Sequence, residues 1–124
     1  MSRLEASARL KIRDGKLEGF KRQAAELIRL TREKDTGTLR YDWFISRDGT
    51  ECEVREAYVD SDALLQHNMH VREARDVLFA EFAYDHEMAF FGDASPQLVQ
   101  LAAEMGVDVG WYSFFQGLEP AQVG

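Results

Sequence analysis

Residues 38–60, TLRYDWFISRDGTECEVREAYVD, constrain the fold more than any other stretch of the chain. Two runs of alternating side chains flank an Asp–Gly pair, the signature of a β-hairpin closed by a type I′ turn. Leu39, Tyr41, Trp43 and Ile45 share one face of the first run; Arg40, Asp42, Phe44 and Ser46 share the other. On the return, Cys52, Val54, Glu56 and Tyr58 alternate with Glu53, Arg55, Ala57 and Val59. A hairpin that packs one face on a core needs only aliphatic side chains there. Placing Tyr41, Trp43, Glu56 and Tyr58 on the inward positions implies either an unusually polar aromatic core or the wall of a cavity.

The rest of the chain supplies what such a hairpin packs against. Ala6 to Arg13 alternates as a half-buried strand, and Asp14–Gly15 breaks it. Leu17, Phe20, Ala24, Leu27 and Thr31 recur at three- and four-residue steps, an amphipathic helix reaching about Lys34. Gly19 inside that helix implies a tight approach, and DTG at 35–37 ends it with Gly37 as the C′ residue. Asp60 to Asp62 offers N-cap oxygens to a second helix that carries Leu64, Val71, Ala74, Leu78 and Phe82, with a bend near Asn68–His70. His86 to Gly92 reads as a fourth strand. Ser95–Pro96 opens a third helix that Gly106 stops, and Val107 to Phe115 reads as a last strand.

The order β-α-β-β-α-β plus α-β predicts a single α+β domain over 1–124. Its ferredoxin-like antiparallel sheet, with helices on one face, covers about 6–92, and a helix–strand extension covers about 93–118. A length of 124 residues suffices for one core without staples. The formal net charge of -7, with Lys and Arg scattered among acids, excludes a nucleic-acid partner that would need a basic patch. No stretch approaches ~20 apolar residues and residues 1–13 lack a secretory pattern, so no membrane association and a soluble, cytoplasmic protein are expected. Cys52 is the sole cysteine, which leaves no internal disulfide and suits a small core residue.

Several of these segments together are similar to one known family. The first strand, DGKLEGF, TGTLRYDWF, and above all Glu56, Tyr58, Asp60, Ala63, Leu64 and His67 within REAYVDSDALLQH resemble the antibiotic biosynthesis monooxygenase-like family over residues 6–92. The resemblance implies a homodimeric α/β barrel, in which two sheets pack face to face, and a small pocket between sheet and helices. It also implies oxidation of aromatic quinol or polyketide substrates by O₂ without a cofactor, although other members degrade haem. The first strand here lacks the asparagine of the haem-degrading branch, so no haem, and no other cofactor, is expected.

Each candidate residue has a plain structural alternative. His67 suits a general base, because an imidazole exchanges protons near neutral pH, but it equally suits a helix cap or a structural pair with Glu56. Glu56 points into an apolar layer between Val54 and Tyr58, where a carboxylate must be paired or protonated. It is either half of an ion pair with an arginine of the covering helix or His67's orienting partner. Tyr41, Trp43 and Tyr58 are walls for a small aromatic ligand, or core packing. His70 shares the helix face of His67 as a further binding residue; with no third ligand at sensible spacing, the pair predicts no metal. His86 reads as a surface residue at the start of its strand, and the aromatics at 111–115 as packing or interface.

The function expected is a cofactor-independent monooxygenase acting on a small aromatic or quinol-type compound. The alternative is a non-catalytic small-ligand-binding homodimer with the same pocket, and a third reading leaves no cavity at all.

Overall fold

The computed structural model describes residues 3–118. Five strands form one open sheet in the order β2-β3-β1-β4-β5. They are β1 (Leu4–Ile12), β2 (Thr38–Ile45), β3 (Glu51–Tyr58), β4 (Ala83–Phe91) and β5 (Asp108–Tyr112), interleaved with α1 (Leu17–Lys34), α2 (Ser61–Glu81) and α3 (Pro96–Met105). The first four strands are antiparallel, in ferredoxin-like order. Strand β5 pairs parallel to β4, so the sheet is mixed rather than antiparallel throughout. No barrel closes among the described residues, where β2 and β5 are the edges of the sheet.

One face of the sheet is built from Leu4, Ala6, Ala8, Leu10 and Ile12 of β1, with Cys52, Val54, Glu56 and Tyr58 of β3, all buried. Helices α1 and α2 cover it, burying Phe20, Ala24 and Leu27 from the first and Leu64, Val71 and Leu78 from the second. Leu98 and Ala102 of α3 pack onto Leu4, Ala6, Tyr58 and Phe90 of the same face. The opposite face is polar at its centre. There Glu53 accepts hydrogen bonds from Ser7, Arg9 and Arg55, while Ala57 beneath is fully buried.

Local chemistry explains the boundaries. The side chain of Asp60 accepts a hydrogen bond from the Ala63 N–H and Ser95 accepts one from Leu98 N–H, capping α2 and α3 as their sequences imply. Helix α2 is continuous through Asn68–His70. The hairpin turn is not type I′, which needs two positive φ angles: only Gly49 has one, and Asp48 instead accepts hydrogen bonds from Ser46 and Thr50. Gly37 does not end α1 by a left-handed turn. Its hydrogen faces Ala63 Cβ, which an added Cβ would approach to 2.6 Å, so the β2 entry packs directly on α2. Gly19 likewise lies against the Phe82 ring, with room for no Cβ.

Strand β4 starts at Ala83, earlier than its side-chain alternation suggests. Asp85 adopts φ 61° and the pairing with β1 shifts register between Arg9 and Lys11, so the bulge erases the period of two. Strand β5 ends at Tyr112, short of Phe115, because its partner β4 turns away at Gly92, whose N–H donates to Tyr112 O at 2.9 Å.

Candidate functional site

The hairpin pairs Tyr41 with Glu56 and Trp43 with Val54, and β1 sets Ala6 and Ala8 beside them. Alanine at the centre of a sheet removes bulk where neighbouring strands carry aromatics. The space left under α2 is a cavity of about 70 Å³, room for several waters. Ala8, Tyr41, Trp43, Val54 and Glu56 line it from the sheet, and His67, Asn68, Val71 and Arg75 from α2. Leu98, Leu101, Ala102 and Met105 of α3 also line it, so the helix of the C-terminal extension forms part of the wall.

His67 is buried, and its Nδ1 lies 2.7 Å from Asp35 Oδ2. Asp35 is the first residue beyond α1, where the helix dipole disfavours a negative charge. Three side chains compensate: His67, His70 with Nδ1 at 2.6 Å from Oδ1, and Thr38, whose hydroxyl donates at 2.6 Å. Burial pushes the Asp35 carboxyl up, but the hydrogen bonds from His67, Thr38 and His70 outweigh it and hold the group at about 2. An ionised Asp35 accepts, so His67 Nδ1 carries a proton, and Nε2 is the ring nitrogen that Asp35 does not engage. Thr31 Oγ1 lies 3.5 Å from the same Nδ1 but donates to Leu27 O at 2.8 Å.

Glu56 is placed otherwise than as His67's orienting partner or as half of an ion pair. The orienting carboxylate is Asp35, and Glu56 makes no salt bridge among the described residues. Its Oε1 accepts from the Tyr58 hydroxyl at 2.6 Å. Burial pushes the Glu56 carboxyl above its ordinary value, against the opposing influence of His67, Tyr58 and Arg75. The two carboxyl groups are therefore driven apart, Asp35 toward the anion and Glu56 toward the acid.

This state of Glu56 has a measurable consequence. A carboxyl whose pKa is raised by folding contributes stability below its unfolded value, and that contribution is lost as pH rises through the folded value. Glu56→Gln should therefore leave the protein as stable or more stable at pH 7, by on the order of 1 kcal/mol, with the gain vanishing below pH ~4.5. Urea melts at the two pH values check it; a loss of ~3 kcal/mol or more at pH 7 would mark Glu56 as a buried anion with a cationic partner.

Of the remaining sequence candidates, Tyr41 and Trp43 line the cavity, whereas Tyr58 and His70 do not. Tyr58 is fully buried behind Glu56, and half-buried His70 faces Asp35. Tyr41 stands edge-on to the His67 ring at 4.6 Å and to Trp43 at 5.7 Å. Burial, then the Glu56 carboxyl, pushes the Tyr41 phenol well up. Trp43 Nε1 is a buried N–H with no hydrogen bond of good geometry among the described residues, although it lies near enough to the Tyr41 hydroxyl to oppose that rise.

Asp35, Asn68, Arg75 and His86 complete the site and were not singled out from sequence. DTG reads as a helix stop, and Asn68 and Arg75 carry no motif; only the spacing of His67, Val71 and Arg75 along one helical face points to them. His86 is not a surface residue. It lines the cavity, stacks on Phe79 at 4.7 Å, and burial followed by the nearby Arg75 lowers its pKa to about 4. Among the described residues no group of three or more His, Cys, Asp or Glu side chains is arranged to hold a metal ion.

Comparison with known proteins places this architecture. No curated protein matches the chain. Among solved structures, MupZ from Pseudomonas fluorescens is similar over 100% of this chain and 99% of its own, with TM-score 0.78 and 23% identity. SnoaB from Streptomyces nogalater, described as a cofactor-independent oxygenase, is similar over 77% of this chain and 96% of its own, with TM-score 0.65 and 15% identity. A conserved protein from Methanosarcina mazei Go1 gives TM-score 0.64 at 19% identity, over 73% of this chain and 91% of its own. At these identities the likenesses establish the fold. The sequence profile described as antibiotic biosynthesis monooxygenase matches residues 4–75, more than half of the 124 residues. On that match the chain belongs to the antibiotic biosynthesis monooxygenase family.

Proposed function

We propose that the protein is an acid–base enzyme of this family that oxidises a small hydroxyaromatic, quinol-type compound with O₂ and without a cofactor. The observation that carries this reading is the Asp35–His67 pair at 2.7 Å, which leaves Nε2 as a base beside a largely apolar cavity. His67 Nε2 takes the proton of a ring hydroxyl, and Asp35 fixes the tautomer and steadies the imidazolium. The deprotonated ring adds O₂ at carbon, and the resulting hydroperoxide loses water. The substrate itself supplies both electrons that reduce the second oxygen atom. Glu56, whose burial favours the protonated carboxyl, is the acid that assists the departing hydroxide, and the Trp43 N–H donates to a substrate oxygen. The cofactor-independent oxygenase among the similar folds supports the O₂ chemistry.

Oxygen uptake with a panel of hydroquinones tests the reading, with one product formed per O₂ consumed. A second reading, proton-transfer chemistry without O₂, is favoured by the opposed states of Asp35 and Glu56, which suit a paired base and acid for any such reaction. Turnover without oxygen uptake selects it; binding without turnover leaves a ligand-binding protein.

The same reading includes a homodimer. On the open sheet face Phe44, Phe91 and Tyr112 are 52%, 43% and 58% exposed around the Glu53 ion cluster, an apolar rim that a second sheet would cover. Sedimentation should give a dimer at micromolar concentration, and a monomer there overturns this part.

A further inference from the structure

Arg75 stands in the cavity wall with its charge unanswered. Arg9, Arg29, Arg40 and Arg55, all exposed, each hold a carboxylate. Arg75 is half-buried, and its one hydrogen-bond partner among the described residues is the neutral amide oxygen of Asn68. Among the described residues no carboxylate oxygen lies within 4.0 Å of its guanidinium. Asp76, its neighbour in sequence, is exposed, and the Glu56 carboxyl acts on it from further off. The cavity wall it shares includes Val71, Phe79, Met88 and the nearby imidazole of His86. A guanidinium does not discharge, and in such surroundings an unpaired one is costly. It retains several donors in a fork that matches a carboxylate.

Position along the helix adds a dimension. His67 and Arg75 are eight residues apart on α2, about 12 Å of helix axis, and both line one cavity. A ring with a hydroxyl at one end and an acid at the other, together with the reach of an arginine side chain, spans that distance.

We propose that Arg75, steadied by Asn68, is the anchor for a carboxylate or equivalent anionic oxygen group of the ligand, so that the substrate class is a hydroxyaromatic acid rather than a neutral quinol. The inference rests on the reading above only in taking the same cavity as the binding site.

Calorimetric titration of the full chain with 4-hydroxybenzoate and with 4-hydroxybenzamide tests it, since the two probes share shape and differ in charge. The acid should bind about tenfold tighter or better. Arg75→Gln should abolish the preference while leaving amide affinity within about twofold. Asn68→Asp, which hands Arg75 an internal anion at nearly constant volume, should do the same and decides the matter alone if Arg75→Gln fails to fold. His67→Ala should keep the preference, because the base plays no part in it. Equal binding, absence of binding by either probe, or a preference that survives in Arg75→Gln overturns the proposal. A preference for the acid in a protein that turns over no substrate removes the enzymatic reading and leaves the anion anchor standing.

Discussion

Replacing His67 with Ala should lower kcat/KM for a hydroxyaromatic substrate by about 10²–10⁴-fold, the usual worth of a positioned general base. The fold should survive, because the ring is exchanged at a cavity wall. Asp35→Asn is the sharper companion. An amide in place of the carboxylate can donate to Nδ1, which favours the tautomer with the proton on Nε2 and removes the base without removing the ring. Its activity should fall nearly as far as that of His67→Ala. It should also lose about 1–3 kcal/mol of stability, because His67, His70 and Thr38 lose an ionised acceptor. Initial-rate kinetics with urea melts on both variants check this. Unchanged turnover in His67→Ala removes the imidazole from the mechanism.

Acidification should weaken the protein in two stages with separate owners. His86 is held neutral, at about 4 against 6.5 for the free side chain, by burial and then by Arg75. Between those values the unfolded chain binds the proton and the folded one does not, so stability falls as pH drops from 6.5 toward 4, by up to about 3 kcal/mol. Asp35 takes over below that. Its folded value of about 2 lies under the ordinary 3.8, so its contribution of about 2 kcal/mol is present above 3.8 and is lost as pH falls toward 2. His86→Phe keeps a ring against Phe79 and should erase most of the first stage while leaving the second. Urea midpoints for both proteins at pH 7, 4.5 and 3 separate the stages, and an equal loss in the variant between pH 7 and 4.5 refutes the assignment to His86.

The layout of the site shows where reading the sequence succeeds and where it stops. Strand alternation placed Tyr41, Trp43, Val54 and Glu56 on one face, because in a sheet the direction of a side chain follows from parity alone. The helical period placed His67 over that face by the same kind of rule. Each is a local regularity that survives folding unchanged. Only the start of β4, residues 83–85, escaped, because the bulge at Asp85 breaks the period that would reveal it, and β5 was overextended because its end depends on where β4 turns.

Partnership is a different quantity. The chain by itself determined the element order, the inward faces and a polar aromatic wall, since each follows from spacing over a few residues. Only the tertiary structure decided that His67 belongs to Asp35, 32 positions away, and that Glu56 belongs to Tyr58. It alone brought His86 and α3 into the cavity wall, and left Arg75 without a carboxylate among the described residues. The reason is physical. Which charges meet, and whether a carboxyl keeps its proton, is set by burial and by distances across the packed layers, and neither is written in any one segment.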